Sequence, residues 1–404
     1  MAEVLTFGCR LNTVESEAIR QHAAHLPGTV VVNTCAVTRQ AERDARQAIA
    51  RLHREQPLAA IVVTGCAAQI DPGAWASLPG VTRVLGNREK LDPAAWRRSG
   101  HEVGLLGAHP HHPAAVTGLT GRARAFLDVQ QGCDHSCTFC IIPKGRGPSR
   151  SVPVDAAVAQ AARMVAAGCR EIVLTGVDLA SWGRDLADRP SLGLLIRAVL
   201  RGAPGLARLR LSSLDPAALD TGFWAALADE ERLAPHLHLS LQAASDLVLK
   251  RMRRRHGVAQ AEAVIDRARR LRPDIAVGAD LIAGFPTETD AQARETLDFV
   301  SRAAIPYLHV FPYSARPGTP AARMRAVPAM ERRARAARLR QAGAHQASRF
   351  HHALLGRTVT VIAERGGRGH TEHFTPVRLH EAAEPGALLR RLAVAADPQA
   401  IEVA

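Results

Sequence analysis

A chain of 404 residues, 47% hydrophobic and 22% charged, is ordinary for a soluble protein with two or three domains and a large core. Its apolar runs are strand-sized and broken by charge or Gly, short of the roughly twenty residues of a spanning helix, so no membrane segment is expected. The 52 basic residues against 38 acidic ones give a net charge of +14, which favours a phosphate-bearing partner, although Lys occurs only at 90, 144 and 250 and an Arg bias can reflect codon composition.

The first ten residues form a short strand pattern with a charge and a Cys rather than a signal peptide, so a reducing compartment, the cytoplasm, is expected. VLTFG runs into Cys9, TVVVNT into Cys35 and AIVVTG into Cys66, with helical patterns at Glu15 to Ala24, Arg39 to Glu55 and Pro72 to Leu78 and a fourth strand at VTRVLG. This predicts a doubly wound α/β domain over 1–99. Loops after parallel strands emerge at one edge of the sheet, so the three thiols are expected to converge there as metal ligands. Burial as small apolar core residues is the alternative, and it is the expectation for Cys169.

Gly, Pro and His crowd 100–121, which predicts a linker; His109, His111 and His112 fit a solvated tract there, with metal binding the alternative. After the strand pattern at 123–130 comes GCDHSCTFCIIPKGRG, in which Cys133, Cys137 and Cys140 have the spacing C-x3-C-x2-C. Three thiolates from one short loop hold three corners of a [4Fe–4S] cluster and leave the fourth iron open to a small molecule. Zinc completed by His135 is the alternative, but zinc sites favour paired Cys or His spacings.

From 122 to 350 a strand and a helical pattern alternate. Strands are predicted at 123–130, 171–175, 207–212, 236–241, 275–282 and 307–311, with helices over Val154 to Ala167, Ser191 to Arg201, Pro216 to Ala228, Val258 to Leu271 and Asp290 to Ala304. Right-handed crossovers then give an incomplete (β/α)6 barrel with the cysteine loop at its carboxyl edge. The basic runs at 250–256 and 332–340 are candidate polyanion contacts, and 356–404 has the short alternating strands of a small β-barrel.

FGCRLNTVES, VVNTCAVT, VVTGCAAQ and GCDHSCTFCIIP, in this order, resemble the methylthiotransferases, radical S-adenosylmethionine (SAM) enzymes with an auxiliary cluster. IVLTGVDLASWG, LRLSSLDP, HLHLSLQAASDLVLKRMRRRH, GADLIAGFPTET and HVFPYSARPGTPAARM are similar to the MtaB-type branch, which acts on tRNA. The resemblance implies two [4Fe–4S] clusters, one on Cys133, Cys137 and Cys140 that cleaves SAM to a 5′-deoxyadenosyl radical, and one on Cys9, Cys35 and Cys66 that provides sulfur. It implies conversion of N6-threonylcarbamoyladenosine at position 37 of tRNA to its 2-methylthio form, with flavodoxin or ferredoxin as reductant and no side chain acting as base. Thr175 and Gly176 in TGVDL, with Ser212, Ser213, Gln242 and Asp280, become candidates for holding SAM, against roles as turn formers or internally bonded polar groups. Where the family commonly has an aromatic after IIP this chain has Lys144; Lys144 and Arg146 are expected to meet phosphate or the cofactor carboxylate, or to form a surface pair. The last domain resembles a TRAM domain, with Arg365, Arg368, His370 and Phe374 as candidate RNA contacts. Isopentenyladenosine in tRNA, an aspartate of a ribosomal protein, and a non-enzymatic iron–sulfur or zinc RNA-binding protein are the rival readings.

Overall fold

The computed structural model describes residues 2–107, 111, 113, 116, 123–381 and 383–404. Strands β1 (Glu3–Thr6), β2 (Thr29–Thr34), β3 (Ala60–Gly65) and β4 (Val81–Val84) form a parallel sheet in that order. Helices cover both of its faces. Ile19 and Ala23, at and just beyond the end of α1 (Arg10–His22), pack on Val4, Val31 and Val62, while Ala45, Ile49 and Leu52 of α2 (Arg39–Glu55) pack on Val30, Val32, Ile61 and Val63. Strands buried on both sides need the unbroken Val/Ile runs seen here rather than alternation. The third helical pattern, Pro72 to Leu78, is α4 (Pro72–Ala76), and an unpredicted short helix, α3 (Cys66–Ile70), precedes it; the two are separate because Asp71 caps α4 by accepting from Ala74 N–H at 3.1 Å and Pro72 has no N–H to continue α3.

The stretch over 100–121 is not simply a solvated linker. Glu102 bridges to Leu85 at the sheet edge, and Val116 packs with Val14, Phe126 and Val173. His111 is buried, its Nε2 2.8 Å from Asp128, because a buried carboxylate needs a partner. His109 and His112 lie outside the described residues.

Strands β5 (Arg124–Gln131), β6 (Arg150–Ser151), β7 (Glu171–Gly176) and β8 (Arg208–Leu211) form one sheet in the order β6-β5-β7-β8, with β6 antiparallel at its edge. A second sheet has the order β11-β10-β9, built from β9 (His236–Gln242), β10 (Ala276–Ala283) and β11 (Tyr307–Pro312). Bridges Leu209 to Leu233 and Leu214 to Leu239 join them, so the six parallel strands curve as one incomplete barrel. The connecting helices are α5 (Ile142–Arg146), α6 (Val154–Ala166), α7 (Leu192–Gly202), α8 (Thr221–Asp229), α9 (Asp246–Met252), α10 (Val258–Leu271) and α11 (Asp290–Arg302). Pro216–Ala218 is a separate 3-10 turn because Asp220 caps α8. Leu127, Leu174, Leu209, Leu239 and Leu281 face these helices, and the alternate residues face the concave side.

After α12 (Ala329–His352), strands β12 (Thr358–Glu364), β13 (Arg368–Thr371), β14 (Pro376–Leu379), β15 (Leu388–Ala396) and β16 (Ile401–Val403) close a small barrel in the order β12-β13-β14-β16-β15. It docks through buried charge. Glu171 pairs with Arg208 at 3.0 Å and Arg210 at 3.1 Å. Those arginines donate onward to the barrel carbonyls of Thr360 at 2.7 Å and Thr371 at 2.9 Å. Glu171→Gln leaves two buried guanidinium groups short of a carboxylate, so it is expected to cost about 3–5 kcal/mol. Calorimetric unfolding should show a lower melting temperature, with the barrel cut first in limited proteolysis.

Candidate metal and cofactor centre

Two glycines shape the cysteine loops. Gly8 has φ +98°, and a Cβ there would collide with the Cys35 side chain; Gly132 has φ +71°, and a Cβ there would collide with the Pro148 carbonyl. The first therefore lets Cys35 lie beside the Cys9 loop, and the second turns the chain from β5 into Cys133. Cys9, at the N-cap of α1, is exposed, whereas Cys35 and Cys66 are buried. The structure brings these three thiols into one electrostatic neighbourhood around Arg146.

The second loop is stitched to α9, Thr138 N–H donating to the Met252 carbonyl at 3.0 Å and the Thr138 hydroxyl to the Arg251 carbonyl at 2.8 Å. Beneath it Phe139, Phe285, Tyr313 and Met252 pack together. His135 lies 2.7 Å from Asp178 of the TGVDL segment, so its imidazole is engaged there rather than with all three thiols. Cys169 packs against the barrel core.

All seven cysteines are free thiols. The donor sets suit iron–sulfur ligation, since N–H groups point at sulfur: Val37 to Cys35 and His135 to Cys133 at 3.5 Å, Asn87 to Cys66 at 3.5 Å, and Arg254 to Cys137 at 3.6 Å. Burial pushes the thiols of Cys35 and Cys133 up to about 12 and that of Cys140 to about 11, so at neutral pH a cation must displace their protons.

Between the two triads lies a polar network invisible to motif reading. Arg146 is neither a surface group nor free for phosphate; it is 4% exposed and donates to both oxygens of Glu15 at 2.7 and 3.0 Å, to Gln131 Oε1 at 2.6 Å and to Asn12 Oδ1 at 2.7 Å. Lys90 Nζ completes Glu15 at 2.7 Å. Burial alone would raise Glu15, but Arg146 and Lys90 hold it down to about 2. Ile141, next to Cys140, enters the core of the first domain, and α5 packs on α3, where Gly145 sits against Cys66. The two cysteine triads therefore face each other across one domain contact. Glu15, on a helical face otherwise occupied by Leu11, Val14, Ala18 and Ile19, was the available sequence signal for this network.

The cofactor candidates line the concave strand ends. Thr175 donates to the Val173 carbonyl at 3.1 Å, and Gly176 N–H approaches Ser212 Oγ at 3.4 Å. Gln242 ends β9 with φ +70°, beside an irregularity in its pairing with β10. Asp280 lies within β10 rather than at its end; Ser213 donates to it at 3.0 Å, and His238 and His309 each lie 3.2 Å away. Lys144 donates to the Gly318 carbonyl at 3.2 Å.

Several expected polyanion contacts turn inward. Arg254 and His256 lie against Asp215 and Arg335 against Glu288, leaving Lys250, Arg253, Arg333 and Arg338 exposed. Arg365 and Arg368 are exposed, but Phe374 is no open platform. His370 stacks on it at 4.8 Å, His236 is at 5.1 Å, and Arg124 and Arg210 lie over its ring at 5.0 and 5.1 Å. It is a wedge between the barrel and the middle domain.

Residues 127–300 match the Radical SAM superfamily and 2–86 the uncharacterized protein family UPF0004. The chain is 42% identical to the threonylcarbamoyladenosine tRNA methylthiotransferase MtaB of Rickettsia prowazekii (strain Madrid E), covering 96% of this chain and 93% of that protein. It is 35% identical to the tRNA-2-methylthio-N(6)-dimethylallyladenosine synthase of Novosphingobium aromaticivorans, with 98% and 96% covered. The radical SAM methyltransferase TsrM from Kitasatospora setae shares the fold, with TM-score 0.56 at 16% identity over 78% of this chain and 69% of that one.

The depressed Glu15 stabilises the fold fully above its unfolded value near 4.5, and this contribution is lost as pH falls toward 2. Glu15→Gln is expected to cost about 3–5 kcal/mol at neutral pH. In urea unfolding of the iron-free protein, the gap to wild type should narrow below about pH 4, and a gap that widens on acidification would contradict this assignment.

Proposed function

We infer, for a chain that belongs to the MtaB-type methylthiotransferases of the radical SAM superfamily, that the protein converts N6-threonylcarbamoyladenosine in tRNA to its 2-methylthio derivative. The observation that carries this is 42% identity with a threonylcarbamoyladenosine-specific relative over 96% of the chain. The dimethylallyladenosine synthases stand at 35%, and the ribosomal-protein and non-enzymatic readings find no support among these relatives.

Cys133, Cys137 and Cys140 would hold the [4Fe–4S] cluster that binds SAM, and Cys9, Cys35 and Cys66 a second one. When bound, the first supplies the electron for reductive cleavage of SAM and the second the sulfur, a second SAM giving the methyl group. Thr175, Gly176, Ser212 and Gln242 are the residues proposed to hold SAM, with Ser213 and Asp280, which bond each other, beside them. The adenine C2–H bond is too weakly acidic for a side-chain base, so the chain's task is to orient adenine and exclude water, which the packing of α1 against β5 favours. The substrate base is assigned to position 37, next to the anticodon. Flavodoxin or ferredoxin is the proposed reductant and the cytoplasm the proposed location. Among the described residues no helix is long and apolar enough to cross a membrane.

Cys35→Ala should abolish methylthiolation while SAM cleavage stays detectable. Mass spectrometry of tRNA nucleosides from a strain lacking the gene should show selective loss of the 2-methylthio form of threonylcarbamoyladenosine, and persistence of that nucleoside would refute the assignment.

A further inference from the structure

Arg10 directly follows Cys9 and lies one turn before Val14, which packs on Phe126 and Val173 of the concave barrel face. The helix thus points Arg10 into the barrel mouth, where its guanidinium carbon lies 5.7 Å from the Phe126 ring centroid. Among the described residues the other arginines on this face have a carboxylate: Arg124 pairs with Glu364 at 2.8 Å, and Arg208 and Arg210 with Glu171 at 3.0 and 3.1 Å. Arg10 has no hydrogen bond or ion pair among the described residues. Asp280, the acidic group that acts on it most strongly, is already clasped by His238, His309 and Ser213.

The opposite wall could be read as a cation site, since His238, Asp280 and His309 offer ligand atoms within 4.8 Å of one another. The sign of the field argues otherwise. Asp280 is already engaged by Ser213, His238 and His309, and Arg10, unpaired among the described residues, adds a positive charge to the same mouth, so an incoming anion is favoured over a divalent cation. The His309 side chain is 51% exposed, so the mouth is open to a substrate group at this point.

We propose that Arg10 binds the carboxylate of the amino-acid substituent on N6 of the substrate adenine, with His309 meeting the hydroxyl beside it. A guanidinium fork matches a carboxylate in two parallel hydrogen bonds, and in a partly dry site such a pair is strong. An apolar N6 substituent would leave Arg10 unpaired, so the same residue selects against it. This assignment rests on the proposed function and names the part of the substrate that the site reads.

The test is binding of anticodon stem–loops to the cluster-loaded protein by fluorescence anisotropy, using loops with N6-threonylcarbamoyladenosine, its methyl ester, or unmodified adenine at position 37. Wild type should prefer the acid over the ester by about 10- to 100-fold. Arg10→Gln should bring that ratio close to one, and Arg10→Lys, which keeps the charge but not the fork, should retain part of it. An acid-to-ester ratio in Arg10→Gln equal to that of wild type overturns the assignment while leaving the proposed function standing. If wild type neither prefers the threonylcarbamoyl loop to the unmodified one nor methylthiolates it, the proposed function itself fails, and the Arg10 assignment with it.

Discussion

One buried carboxylate holds the two halves of the site in register. Glu15 comes from the first helix, Arg146 from the turn after the C-x3-C-x2-C loop and Lys90 from beyond the fourth strand, and both cations reach the Glu15 carboxylate within 3.0 Å. Such a cluster contributes little over a well-packed apolar one, but breaking it strands a charge in a dry place. Its value is geometric. Arg146 can bond Glu15, Gln131 and Asn12 at once from one location only, and that location fixes how the Cys9, Cys35, Cys66 group sits against the Cys133, Cys137, Cys140 loop.

The same logic recurs at the far end of the barrel. Glu171 gathers Arg208 and Arg210, and those arginines hand their remaining N–H groups to the backbone of the C-terminal barrel. Phe374, which the resemblance to a TRAM domain offered as a base-stacking candidate, is consumed by this contact. What that barrel presents to solvent is exposed arginines such as Arg365 and Arg368 more than this aromatic ring. Between these anchors, and among the described residues, the concave face keeps one guanidinium, Arg10, without a carboxylate of its own, and a positive charge there suits an anionic substituent better than an apolar one.

Much of the architecture was legible in the chain. The strands over Thr29–Thr34 and Ala60–Gly65 and the helices over Arg39–Glu55 and Val258–Leu271 fall where periodicity put them, because strands buried on both faces and amphipathic helices leave strong local patterns. A boundary failed where a single cap intervened, at Asp220, which starts α8 at Thr221 rather than at Pro216. His111 was misread because its partner, Asp128, lies in a strand whose alternation gave no hint of which face it used.

By itself the sequence determined the two cysteine groups, the order of strands and helices, and the family to which the chain belongs, since each rests on local spacing or on matched strings. Only the tertiary structure decided which charges are buried and paired. Arg146, Arg254 and Arg335 were indistinguishable from surface arginines, and Arg10 from any helix residue, because burial and partnership depend on carboxylates far away in the chain, as with Arg146 and Glu15, that come within reach only when the domains pack.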